Sequence, residues 1–206
     1  MPGMDDFHFY EPGDGHGLPH DPIKAIIAPR PIGWVSTIDR LGRVNLAPYS
    51  YFNAMAEQPT IIGFSSFSRK DSHSNAEETG EFVFNLATRP LAEAMSLTSG
   101  AFPRGVDEME AAGLAAAPCR VVKPPRVAAS PAALECRVTD VVPIKDLNGR
   151  PTANTLILGQ VVGVHVARSC LVNGLFDMTK ARTIARCGYA ADYVEVTELF
   201  RMRRPG

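Results

Sequence analysis

Proline and glycine constrain this chain more than any other feature. There are 17 of each among 206 residues, about one residue in six, against a usual combined share of roughly 12%. Proline removes a backbone donor and glycine costs conformational entropy, so long uninterrupted helices are excluded. The segments between these breakers are short and rich in Val, Ile and aromatic residues, which is the composition of strands joined by turns. Hydrophobic residues make up 45% of the chain. Leu, Ile, Val and Phe alone supply about a quarter, above the level of roughly one fifth that marks disordered chains, so a packed core is affordable. The length suits one domain, read here as residues 1–206 with 1–22 as a leader segment. Basic and acidic residues number 21 and 22, a balance that argues against a nucleic-acid binder.

The opening MPGMDDFHFYEPGDGHGLPHDP has acids where a secretory signal needs basic residues, and lacks an apolar core segment. The longest apolar run, 155–167, is interrupted by Gln160 and His165, too short to span a membrane. Cys119, Cys136, Cys170 and Cys187 are scattered with no C-x-x-C pair, so a zinc cluster or redox dithiol has little support. Free thiols in a reducing cytoplasm are the expectation.

No repeat of 20–50 residues is present, which excludes a solenoid. Pro29 and Pro31 exclude a helix or central strand there. Residues 32–38 (IGWVSTI) read as a strand, 41–43 as a turn, and 44–46 as its hairpin partner. Pro48 interrupts the pattern before YSYFNAM. Residues 60–66 (TIIGFSS) form the next strand. A helix is expected from Ser74, with Glu77 completing a capping box and Gly80 closing it. A strand at 82–87 and short helices at 90–98 and 107–112 follow, then a Pro-rich crossing segment at 115–133. Two long strands, 134–144 and 154–167, flank the Asn148-Gly149 turn signal. Gly159 or Gly163 marks a bulge in the second. Strands do not alternate regularly with long helices, and neither G-x-G-x-x-G nor G-x-x-x-x-G-K-[ST] occurs, so a doubly wound sheet and a P-loop are disfavoured. The residues favour a mainly β protein: an antiparallel barrel with short helical insertions.

Two segments place polar groups beside buried strands. The run Asn45, Leu46, Ala47, Pro48, Tyr49, Ser50, Tyr51, Phe52, Asn53 mixes amides and hydroxyls with aromatics, and its proline frees backbone from ladder pairing. Such an edge can offer N–H and C=O groups to a flat heteroaromatic ring; the competing reading is a hairpin strand whose polar groups satisfy local turns. The run from Ser65 and Ser66 through Arg69, Lys70, Asp71 and Ser72 to Asn75 leads hydroxyls and cations into a helix start. Free N–H groups there suit a phosphate; the competing reading is a solvated loop with ordinary capping.

Other candidates are weaker. His8, His16 and His20 lack ligand spacing. His165 reads first as a satisfied strand histidine. Arg182 and Arg186 face ligand or solvent, with spacing unable to decide. No Ser/His/Asp or Cys/His signature and no carboxylate pairing supports hydrolysis.

The run RPIGWVSTIDRLGRVNLAPYSYFNAMAEQPTIIGFSS, followed by KDSHSNAEETGEFVFNLAT, closely resembles the flavin reductase-like family of FMN-binding split-barrel proteins. The leader FHFYEPGDGHGLPHDP is similar to that of its flavoredoxin-like branch. The resemblance spans about residues 7–193. It implies a six-stranded Greek-key split β-barrel, a homodimer, and FMN (FAD as the alternative) near the dimer interface. It implies NAD(P)H as reductant, with hydride passing from nicotinamide C4 to flavin N5, and a monooxygenase or other electron-accepting protein as partner. Carried over by position, Ser36, Thr37, the run from Asn45 to Asn53 and the Ser65–Ser66 pair fall on flavin and ribityl contacts. Lys70, Asp71 and Ser72 match a K-D-[ST] motif near the phosphate, with Asn75 and Asn85 close by. Backbone amides of residues 47–50 are the expected donors to the reduced ring. His165, in GQVVGVHV, aligns with a strand near the flavin or nicotinamide and is the only catalytic candidate, since hydride transfer needs no protein acid or base. TIARCGYAADY departs from the family pattern, leaving Arg182, Arg186 and Tyr189 without assigned roles. An electron carrier without nicotinamide turnover and a non-catalytic ligand-binding barrel are the competing functions.

Overall fold

The computed structural model describes residues 6–203. Helix α1 (Ile23–Ile26) precedes the short β1 (Arg30–Pro31). Then come β2 (Gly33–Ile38), β3 (Val44–Tyr49), β4 (Phe52–Glu57), β5 (Thr60–Phe67), α2 (Asp71–Thr79) and β6 (Glu81–Leu86). Helices α3 (Ala92–Leu97) and α4 (Glu108–Ala111) lead into β7 (Ala116–Ala117) and β8 (Arg126–Val127). The long β9 (Ala132–Lys145) and β10 (Pro151–Val166) are followed by β11 (Leu171–Val172), β12 (Leu175–Phe176), β13 (Ile184–Arg186) and β14 (Tyr193–Glu195). The fold is mainly β with short helical insertions, as expected. No helix among the described residues is long and apolar enough to cross a membrane.

Seven strands form one antiparallel sheet in the order β3-β2-β6-β9-β10-β5-β4, one more than the six expected. Its two edge strands are successive in sequence. If the sheet were flat, six spacings of about 4.8 Å would put them about 29 Å apart. Only Ser50 and Tyr51 join β3 to β4, and three consecutive Cα steps reach about 11 Å at most. The sheet must therefore curl until its edges approach, and β3 and β5 are in contact.

Alternation then sorts the side chains. Val35, Tyr49, Phe64, Phe82, Cys136 and Ile157 share one buried cluster inside the curl, with Phe52 and Phe84 packed against it and stacked face to face at 4.9 Å. Trp34, Leu46, Met95, Met109, Val127 and Ile184 form a second cluster outside, where α3 and α4 cover β2 and β3. There Trp34 Nε1 donates to Thr98 Oγ1 at 2.9 Å. Because both faces of β2 are covered, its residues are buried almost without alternation. Ladder shifts fall at Leu158/Gly159 and Val161/Gly163, at the two glycines read as bulge sites. Gly42 (φ +80°) and Gly149 (φ +77°) make the expected turns, and Asp39 Oδ1 accepts from the amides of Leu41 and Arg43.

Three local expectations need correction. First, β3 runs through Pro48. The Leu46 amide points away from β2, onto Glu108 Oε2 at 2.9 Å. By the two-residue period of an antiparallel ladder, position 48 points the same way, so proline removes no ladder bond there. Second, residues 52–57 form a strand, mostly exposed, where no strand was expected. Third, α2 starts four residues early: Lys70, not Ser74, is its N-cap, with no side-chain cap bond. Ser74 sits within the helix and is buried, and its amide donates to the Lys70 carbonyl at 2.9 Å. Gly80 does close the helix, at φ +73°.

Candidate functional site

A groove of about 550 Å³ runs along the free edge of β3. Its floor is Asn45, Ala47, Pro48 and Tyr49. Lys70 and Asp71, at the start of α2, form one wall, and residues 98–102 with Arg104 and Glu108 form the other. The two segments singled out from sequence thus meet in one cleft. The volume is within the range of cofactor sites.

Asn45 ties the floor to the helix: its Nδ2 donates to Ser72 Oγ at 2.8 Å and to Thr37 Oγ1 at 3.3 Å. Asn75 Nδ2 also donates to Thr37 Oγ1, at 3.1 Å. Thr37, Ser72 and Asn75 are buried, so they brace the helix start against the barrel. Burial raises the Tyr49 phenol above its ordinary pKa, and the hydroxyls of Ser72 and Ser66 partly offset this.

The charges around the groove are unevenly paired. Arg69 is committed to Glu77 at 2.5 Å and does not serve the cleft. Arg104 Nε lies 3.7 Å from Asp71 Oδ1. Among the described residues no ion pair includes Lys70, which lines the groove as the N-cap of α2, where partial positive charge already collects. Glu108 is raised above the usual carboxylate range, chiefly by burial, although the Leu46 amide bound to it acts the other way.

The edge alternation also corrects the expected backbone donors. The amides of Ala47 and Tyr49 turn toward β2, and Pro48 has none. The ladder register ends at Tyr49, so Ser50 is the first residue of the run outside it. Leu46 contributes a core side chain and an amide held by Glu108.

Several sequence candidates lie outside the groove. Ser36 Oγ donates to the Pro125 carbonyl at 2.5 Å. Asn85 is fully buried: its Nδ2 donates to the Trp34 carbonyl and Ser36 Oγ, and its Oδ1 accepts from the Val127 amide. It pins the crossing segment and has no free polar atom for a ligand. Ser65 Oγ accepts from Asn154, and Ser66 Oγ donates to the Ser68 carbonyl. Phe52 packs inside the barrel, and Asn53 Oδ1 accepts from the next amide.

His165 sits on the outer wall of the barrel, where its Nε2 is 2.6 Å from Glu135 Oε1. Glu135 also accepts from the amides of Arg120, Val121 and Val122. The Cys119 thiol completes a group whose ligand atoms lie within 4.8 Å of one another. Four donors already fill the carboxylate, so the group is satisfied as a clamp on the crossing segment. Burial, with the Glu135 charge, pushes the Cys119 thiol up to about 11, far from a reactive thiolate. All four cysteines are free.

Residues 27–184 match the flavin reductase like domain family. The chain belongs to this family. An uncharacterized protein of Deinococcus radiodurans is 36% identical over 195 residues, covering 88% of this chain and 82% of that one. The crystal structure of nitrilotriacetate monooxygenase component B from Bacillus cereus superposes with a TM-score of 0.82 at 30% identity, covering 87% and 90% of the two chains. A Shewanella frigidimarina protein with a split barrel domain superposes at 0.79 and 21% identity, over 89% and 90%, and shares the fold. The architecture is the split barrel, and the general chemistry of the family is flavin oxidoreduction. Arg104, Glu108 and the loop at 98–102 were not legible as site residues, because they reach the groove from segments distant in sequence from β3 and α2.

Proposed function

We propose that the protein binds FMN in the β3 groove and works as an NAD(P)H-dependent flavin reductase. One observation carries this reading: a single cleft joins Lys70, which is in no ion pair among the described residues, at a helix start to the free edge of β3 at Asn45, Ala47 and Pro48. The donor set fits the cofactor. Lys70 and the first-turn amides of α2 would hold the phosphate, and Asn45, Ala47, Pro48 and Tyr49 would lie along the ring system. The chemistry a bound flavin would supply there is acceptance of a hydride at N5 from nicotinamide C4 and onward electron transfer. The protein's own part is to position and shield. Asn45 fixes the helix start, and residues 98–102 narrow the cleft and exclude water.

The outer face of β4, β5, β9 and β10 supports homodimer formation. Met55, Leu156 and Leu158 converge over Gly63, and Met55, Phe67 and Val142 are exposed. An electron-accepting protein, of which a monooxygenase is one kind, and a cytoplasmic setting complete the reading.

The test is the visible spectrum of the purified protein with FMN, before and after anaerobic NADH or NADPH. Flavin retention with bleaching and steady-state turnover supports a reductase. Retention without turnover indicates an electron carrier, and protein that stays colourless with FMN and FAD overturns the reading.

A further inference from the structure

Beyond the groove, the cleft continues past Pro48 and Ser99 into a smaller hollow of about 260 Å³ floored by Arg186. This arginine is unusual. Its Nη2 donates to the Ala190 carbonyl at 2.6 Å, and its Cζ lies 4.6 Å from the centroid of the Tyr193 ring, opposite it in the β13–β14 register. Both contacts fix the plane of the guanidinium. Its Nη1 is buried without a hydrogen-bond partner, and among the described residues no ion pair includes Arg186. Arg186 as a whole is half-buried, and a guanidinium that lines a hollow with no counter-ion beside it favours an anion there. Arg30 and Arg126 also have a buried unpartnered Nε, but neither lines this trough.

The surroundings specify the kind of anion. Ser50, Ser96 and Ser99 line the hollow together with Pro48, Met95 and Tyr193, and the Ser99 hydroxyl donates to the Ser96 carbonyl at 2.6 Å. A planar guanidinium matches a carboxylate in two-point contact. The volume is small, suited to a single ring. The phosphate of FMN has its own cation, Lys70, in the neighbouring groove.

We propose that Arg186 is the anchor of a second subsite that takes the carboxylate of a small, single-ring acid beside the flavin. The proposal rests on the flavin reading of the groove. Arg186 determines which anion enters the hollow, and the fixed guanidinium sets where its ring lies relative to Pro48.

Benzoate and benzyl alcohol, titrated calorimetrically into the full chain with and without FMN, test it in the wild type, Arg186→Met and Arg186→Lys. Wild type is expected to bind benzoate and to discriminate against the alcohol. Arg186→Met should weaken benzoate about 10- to 100-fold, the effect of losing a charge-assisted pair. Arg186→Lys, which keeps the charge but not the fork, should fall between and serves if the Met variant fails to fold. FMN affinity should stay within about twofold of wild type, since Lys70 and α2 hold the phosphate. Absence of benzoate binding in wild type, equal affinity in all three proteins, or loss of FMN in place of benzoate would each overturn the assignment. If wild type retains no FMN, the flavin reading fails by itself, and benzoate binding to the flavin-free chain still decides this subsite.

Discussion

Glu135 lets the clamp on the crossing segment be measured. The residue is only 1% exposed, and burial alone would push its carboxyl pKa up. The amide of Arg120, the ring of His165 and the amides of Val121 and Val122 outweigh that and hold it at about 2, against an ordinary 4.5. A native carboxyl below its unfolded value adds stability that is present above about pH 4.5 and lost as the pH falls toward 2. The difference corresponds to about 3 kcal/mol. In Glu135→Gln one carboxylate oxygen becomes an NH₂ facing amide donors, whichever way the side chain is turned. At pH 7 the variant should lose about 3 kcal/mol, or roughly 6–12 °C in Tm for a chain of this size. Thermal melts of both proteins from pH 7 to pH 2 provide the assay. The gap should be widest at neutral pH and narrow below about pH 4.5, as wild-type Glu135 takes up its proton. A variant melting within 2 °C of wild type at pH 7, or a gap that stays constant down to pH 2, would refute the clamp.

Two further perturbations follow from geometry. In Gly159→Ala the new Cβ would lie 2.3 Å from Phe82 Cε1, inside the barrel. Urea unfolding should show a loss of about 1–3 kcal/mol, and wild-type stability would contradict the packing. Because burial raises the pKa of Glu108, its ionised form costs stability at neutral pH, and this cost disappears as the pH falls below the native pKa. Glu108→Gln keeps an oxygen for the Leu46 amide, so its Tm should equal or exceed wild type at pH 7, with any advantage gone by about pH 4. A lower Tm at pH 7 would contradict this.

Much of the barrel was legible because its signals are local. Gly42 and Asn148-Gly149 announce their turns, and β-branched runs announce β2, β5, β9 and β10. What escaped depends on partners. Pro48 reads as a break until the ladder phase set by Leu46 and Glu108 shows its nitrogen facing outward. FNAMAE, largely exposed, has no apolar alternation to mark β4. Ser74 and Glu77 mimic a capping box, yet burying Ser72 and Asn75 against Thr37 and Asn45 draws the helix start back to Asp71. At the site, Asn45–Tyr49 and Lys70–Asp71 were readable from residue type and do converge. Ser36, Asn85 and Ser66 carry the same donor chemistry but use it on the fold, a distinction visible only from their neighbours. His165, read from its strand context first as a satisfied histidine, is one, although its partner Glu135, 30 residues away, leaves no mark beside it.

The claim that the β3 groove holds FMN by its phosphate is tested most directly by comparing FMN with riboflavin, which lacks that group, on wild type and Lys70→Ala. Both affinities can be read from quenching of flavin fluorescence. Loss of one charge-assisted contact, about 1.5–3 kcal/mol, should weaken FMN roughly 10- to 150-fold and leave riboflavin within about twofold. Unchanged FMN binding, or equal weakening of both flavins, would contradict the placement.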